Sequence, residues 1–213
     1  MSNTAATAGR TQEEPRVITR KDTTVRDLVT MGIFIALFLA LMVTFGMLMA
    51  FLPIIMILLP LLMGILGGVI FSILLAKVQR PGSFLISSVI LGLFLITMAP
   101  GAIMCYMTII GGVLAEIIYW KFGRTSFNAM WISYAVYMVF FGLGVYVPFI
   151  WMKQAYLDLY ADSEALEVAR LGTEVIHPVL MIVLLIGTIF CCWLGFRWGK
   201  SLTKKQFAKA GIV

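Results

Sequence analysis

"LVTMGIFIALFLALMVTFGMLMAF", residues 28–51, runs for 24 residues without a charged side chain. A surface helix of a soluble protein keeps a polar face, and two threonines cannot supply one. At ~1.5 Å per residue the stretch reaches across the ~30 Å of hydrocarbon in a bilayer. The rest of the chain repeats this character. Of 213 residues, 62% are hydrophobic and 12% charged, and the mean hydropathy is +1.03. That is more apolar surface than a single soluble core of this size can hide. In lipid every backbone N–H and C=O must be satisfied within the protein, and no segment alternates with the period of two that barrel strands need. The expected class is therefore an all-α integral membrane protein.

Six apolar windows of this kind predict a bundle of six transmembrane helices, at about 28–51, 54–76, 84–98, 102–120, 129–151 and 178–198. The third is the shortest, ended by the Pro-Gly turn in "TMAPGA" (97–102). The membrane domain so defined is 23–213, preceded by a polar segment, 1–22, expected to be disordered and cytoplasmic. That lead is unlike a cleaved secretory signal, because it is polar and the apolar run after it exceeds a signal core, so the first span is expected to stay.

Charge gives the expected orientation, since Lys and Arg gather on the cytoplasmic side of short loops. Arg10, Arg16, Arg20, Lys21 and Arg26 precede the first span; Lys77 and Arg80 follow the second. Lys121 and Arg124 follow the fourth, and Arg197, Lys200, Lys204, Lys205 and Lys209 end the chain. With six spans these fourteen of the 16 cations share one face, with both termini inside. The remaining two, Lys153 and Arg170, lie in the long fifth connection, 152–177, among Asp158, Asp162, Glu164, Glu167 and Glu174, which makes that loop acidic and external. The basic tail would also touch anionic lipid, at about 1 kcal/mol per cation. Nucleic acid is not needed to account for the net charge.

Reactive chemistry is sparse. Adjacent Cys191 and Cys192 point about 100° apart on a helix and Cys105 stands alone, which fits buried small hydrophobes rather than a zinc site or disulfide framework. Glu116 is the one clear intramembrane ionisable group, expected to serve structure by pairing with Lys121, Arg124 or a neighbouring helix. His177 precedes Pro178 at the mouth of the last span. No HExxH, Ser-base pair or nucleotide-binding loop is present, so neither enzymatic activity nor a built-in energy source is expected, and no cofactor or metal. Small residues are more telling. Gly32, Ala36 and Ala40 recur every fourth position on the first span, a smooth stripe that lets another helix approach. "MGILGG" and "IIGG" in spans two and four suit packing inside the bundle.

From about Thr23 onward the chain resembles the Trep_Strep (MptE-like) family of small bacterial membrane proteins, grouped with the S components of energy-coupling factor (ECF) transporters. The resemblance is carried by "KDTTVRDLVTMGIFIALFLALM" (21–42), "AKVQRPG" (76–82), "GGVLAEIIYWKFGR" (111–124), "YVPFIW" (146–151) with "AYLDLYA" (155–161), and most specifically by the closing "GKSLTKKQFAKAGIV" (199–213). It implies a substrate-binding subunit of an ABC-type importer in the bacterial plasma membrane. Such a subunit takes up a scarce vitamin, cofactor precursor or metal-related nutrient, energised by a transmembrane coupling subunit and two cytoplasmic ATPases. It also implies that the stripe of Gly32, Ala36 and Ala40 meets the coupling subunit.

Topology and resemblance together put a pocket at the external end, beneath a lid formed by 152–177, part of which, around Asp162 to Leu171, has helical spacing. The candidate substrate-binding residues are Thr97, Met104, Tyr106, Thr108, Tyr146, Trp151, Tyr156, Tyr160 and His177; aromatic rings with polar tips suit a flat, partly apolar ligand, and equally an interfacial belt. The acids of the lid would favour a cationic or metal-bearing substrate. The competing readings are a membrane scaffold without a small-molecule ligand, a solitary permease, and a membrane enzyme using Glu116 and His177, two residues expected near opposite faces.

Overall fold

A computed structural model describes residues 20–49, 54–78, 80–122, 126–163 and 165–209. All regular elements among them are helical. They are α1 (Arg20–Met49), α2 (Ile54–Lys77), α3 (Ser83–Phe94), α4 (Ile103–Lys121), α5 (Phe127–Trp151), α6 (Lys153–Leu159), α7 (Leu166–Val175) and α8 (Pro178–Lys209). Within α2 a π turn, Met63–Gly67, joins two α-helical halves.

Five of these helices are long and apolar enough to cross a membrane, with spanning portions Val25–Leu48, Ile54–Lys77, Pro100–Lys121, Phe127–Trp151 and Pro178–Lys204. The third expected span, 84–98, is not among them. α3 has 12 residues, about 18 Å of rise, well short of the hydrocarbon thickness. The helix stops at Phe94, before the Pro-Gly pair, because the chain must reverse: Pro100 has no N–H, and Gly101 and Ala102 both take left-handed backbone, φ 60° and 54°.

Other boundaries also shift. α1 begins at Arg20, within the segment expected to be disordered, whose remainder, 1–19, lies outside the described residues; so do Arg124 and Glu164. The last helix continues past Trp198 to Lys209, so much of the basic tail is a helical extension. The fifth connection forms two short helices, α6 and α7, rather than one.

The two ends of the bundle differ in chemistry. At one end Asp27 of α1 pairs with Arg80 before α3. The Lys77 ammonium lies 5.5 Å from the Phe34 ring centre and that of Lys200 4.6 Å from the Phe127 ring. These contacts tie the start of α1 to the end of α2 and to the segment before α3, and the start of α5 to α8, all at the basic end. Above it the interior is filled by aromatic rings. Phe71 of α2 meets Phe38, Tyr134 and Phe84 at 5.2, 4.9 and 5.5 Å between centroids, and Phe84 meets Tyr119 at 5.8 Å. All five are essentially inaccessible.

Small residues allow the tight helix crossings, as expected for spans two and four. A Cβ on Gly195 of α8 would run into the Gly64 and Ile65 carbonyls of α2, and one on Gly112 of α4 into Ser88 of α3. Without such residues the backbones could not approach this closely, and close packing stands in for the missing hydrophobic drive between helices in lipid. The Gly32, Ala36 and Ala40 stripe is different: all three are exposed, and nothing lies within 4 Å of a Cβ built on Gly32.

Candidate functional site: an apolar cavity at the lid end

The end opposite the basic residues is hollow. A cavity of about 550 Å³ opens there, within the size range of small-molecule sites. Its walls come from Met42, Val43, Gly46 and Met47 of α1, Met56 and Leu59 of α2, and Phe94, Leu95 and Met98 at and beyond the end of α3. Met104 of α4, Val145 and Phe149 of α5, and Tyr156, Tyr160, Ala165 and Val168 of the lid complete them.

The lid is held down by its aromatic residues. The Tyr160 hydroxyl donates to the Met98 carbonyl at 2.9 Å, tying the end of α6 to the turn after α3. Tyr156 packs on Phe149 with ring centres 4.5 Å apart and on Tyr160 at 5.1 Å. Burial pushes both phenols up from their ordinary value; for Tyr156 the neighbouring Tyr160 adds to the rise, and for Tyr160 the neighbouring Tyr156 offsets part of it. On α7, Gly172 lies so close to Phe149 and the Met56 methyl that a Cβ there would overlap both. The lid therefore sits directly on the cavity wall.

Of the residues expected from sequence to bind substrate, Met104, Tyr156 and Tyr160 line this cavity, and the others do not. Tyr106 and Trp151 are 61% and 62% exposed, pointing outward from the bundle as belt residues do. Thr97 is exposed in the turn after α3. Thr108 is fully buried, with its hydroxyl unpartnered. Tyr146 is also buried, and its hydroxyl donates to the Ile57 carbonyl of α2 at 2.7 Å. His177 caps α8: its Nδ1 accepts the Leu180 N–H at 3.2 Å, with Pro178 at the first helical position, where its missing N–H costs nothing. The sequence-based pocket thus mixed cavity, belt, core and cap residues, all of them near helix ends.

Glu116 has a defined task at the other end. Its two carboxylate oxygens accept the backbone N–H groups of Gly82 at 2.7 Å and Phe84 at 3.0 Å. It thereby satisfies donors at the N-terminus of α3, where negative charge is also favoured by the helix dipole. The partners shown are backbone groups and not Lys121, while Arg124 lies outside the described residues.

The described acids and bases of the fifth connection, Lys153, Asp158, Asp162, Glu167, Arg170 and Glu174, are exposed and line no part of the cavity. Among the described residues no cluster of His, Cys, Asp and Glu could hold a metal ion. The lining missed by sequence reasoning is wholly apolar, and its most frequent side chain is the thioether of Met42, Met47, Met56 and Met98. The available signal was the bunching of these methionines, with Met104, at the ends of successive spans that converge on one end of the bundle.

Residues 25–209 match the model of a family described as "Hypothetical bacterial integral membrane protein (Trep_Strep)". No curated protein and no solved structure matches the chain. A match over this length, on a helical chain with five apolar helices of spanning length, means that the protein belongs to the Trep_Strep family of bacterial integral membrane proteins.

Proposed function

We propose that the chain is the substrate-capturing membrane subunit of an energised importer, an S component of the ECF type working with a transmembrane coupling subunit and two cytoplasmic ATPases. The observation that carries this reading is the cavity of about 550 Å³ beneath a two-helix lid, at the end of the bundle remote from the basic residues. By the positive-inside rule the basic end is cytoplasmic, so the cavity and its lid face outward, where a scarce nutrient would be met. A scaffold has no need of such a void. The sequence carries no nucleotide-binding loop, so uptake against a gradient needs a separate energy source. The exposed Gly32, Ala36 and Ala40 face of α1 is smooth enough to slide along another helix.

The test is affinity purification of the tagged chain from its native membrane. It is expected to recover one further membrane protein and two ATPases, and the variant Ala36→Leu is expected to lose them. Because Ala36 is exposed, that substitution leaves the fold intact. Recovery of the chain alone, under conditions that hold known membrane complexes together, would overturn the reading in favour of a solitary permease or scaffold.

A further inference from the structure

The lining also specifies what the cavity takes, an inference that rests on the capture reading above. No lining residue is charged. Its only side-chain polar atoms beyond the thioethers are the hydroxyls of Tyr156 and Tyr160, whose rings are in contact and the second of which already donates to the Met98 carbonyl. An ion entering would surrender its water for no counter-charge, at an effective cost of several kcal/mol. The acids of the lid face solvent instead, so they do not provide one.

Five methionines, Met42, Met47, Met56, Met98 and Met104, form much of the wall. Unbranched and polarizable, they mould to apolar bodies and favour contact with aromatic rings. The wall also reaches the outer surface of the bundle. Val43 and Met47 on α1, and Phe94 and Met98 at the end of α3, line the cavity yet remain 37%, 68%, 38% and 40% exposed. For a membrane-embedded bundle, the interior of the cavity and the surrounding hydrocarbon form one apolar medium between these two elements.

We propose that the cavity binds an uncharged, predominantly apolar small molecule that partitions into the bilayer and enters between α1 and α3. It would carry no more than one or two hydrogen-bonding groups, directed at the Tyr156–Tyr160 pair. Charged vitamins and metal complexes are the wrong chemistry for this lining.

The experiment is a titration of the full chain in lipid nanodiscs, read from isotope-labelled methionine methyl resonances assigned by single Met→Leu variants. The two probes share a ring skeleton and differ in charge: neutral N-phenylnaphthylamine and anilinonaphthalene sulfonate. The neutral probe is expected to shift the Met56, Met98 and Met104 methyls saturably and to leave buried Met63 and Met138 unmoved, with the sulfonate about tenfold or more weaker. Ala165→Trp, an exposed lid residue at the cavity's edge, is expected to weaken the neutral probe at least about tenfold while the Met63 and Met138 signals, which report the fold, stay in place.

Equal or tighter binding of the sulfonate, or shifts of the same methyls by monovalent copper, whose soft character suits thioethers, would overturn the ligand class and leave the capture reading standing. If neither probe moves the cavity methyls and they show cross-relaxation with phospholipid acyl chains instead, the cavity is a lipid seat, and both readings fall.

Discussion

Ala102 holds a left-handed backbone, φ 54°, next to Gly101 at φ 60°, and for a residue with a Cβ that conformation costs about 1–2 kcal/mol. The reversal between α3 and α4 needs both. A Cβ on Gly101 would meet nothing nearer than the Met152 methyl at 3.9 Å, so the penalty of Gly101→Ala is purely conformational, about 1–2 kcal/mol of unfolding free energy. Ala102→Gly relieves the same strain but loosens the unfolded chain, for a net gain of up to about 1 kcal/mol. Denaturant unfolding in micelles, followed by tryptophan fluorescence, is expected to order the three proteins as Ala102→Gly, wild type, Gly101→Ala. At the opposite end, Glu116→Gln keeps one acceptor for the Gly82 and Phe84 amides and sets an amide group against the other. It is expected to lower stability by about 1–2 kcal/mol while leaving probe affinity at the cavity unchanged. A proton-coupling role would instead appear as altered uptake with stability intact.

At the scale of elements, α2 is the helix that could not hold its shape alone. Pro60 removes one rung of its ladder and the π turn at Met63–Gly67 displaces others. In lipid the freed carbonyls have no water to turn to. Two tyrosines of α5 add bonds along this stretch: Tyr146 donates to the Ile57 carbonyl, next to the Met56 carbonyl that Pro60 leaves without its usual N–H, and Tyr134 donates to that of Met63 at the π turn, each at 2.7 Å. Tyr134→Phe preserves the ring packing on Phe71 and removes the hydroxyl bond to the Met63 carbonyl, so a loss of about 1 kcal/mol in the same unfolding measurement is expected. The two lid tyrosines are expected to make the lid sensitive to alkali. Its phenols ionise at higher pH in the fold than the ordinary value of 10.0. Their stabilising share is therefore fully present below that value and declines above it, where the unfolded chain releases its protons first. Between about pH 9 and about pH 11 the melting temperature of wild type is expected to fall more than that of the double variant Tyr156→Phe, Tyr160→Phe. Equal slopes would mean that the lid tyrosines carry none of the alkaline lability.

Across the whole molecule, chain length and apolar runs made the five long helices legible, because ~20 apolar residues can satisfy their backbone in lipid only as a helix. The point where α3 ends was not, since the left-handed pair lies beyond the proline while the helix stops six residues before it. Nor was the cavity wall, because hydropathy gives the same value to a Met facing lipid, as Met47 partly does, and one buried inside, like Met56. Aromatic residues with polar tips misled for a related reason: Tyr106 on the surface, Tyr146 in the core and Tyr160 over the cavity all satisfy the same preference for a wet end and a dry body. Charge survived this degeneracy, and it leads to the last prediction. Asp27 with Arg80, Lys77 with Phe34 and Lys200 with Phe127 gather at one end. α3 starts there beside Glu116, and its last residue, Phe94, lines the cavity at the other. α3 has too few residues to cross as a regular helix; on the importer reading proposed above, the reversal after it is expected to complete the passage, giving an even number of crossings with both ends of the described chain inside. Cysteine placed at Ala161 in the lid is then expected to react with an impermeant maleimide on intact cells, and cysteine at Ser201 on α8 only after the cells are opened. Replacing the native cysteines, of which Cys105 and Cys192 are buried, by serine removes the background. Labelling of Ser201 from outside with Ala161 protected would mean that α3 does not complete a crossing and that the basic end of α8 faces outward, against the charge.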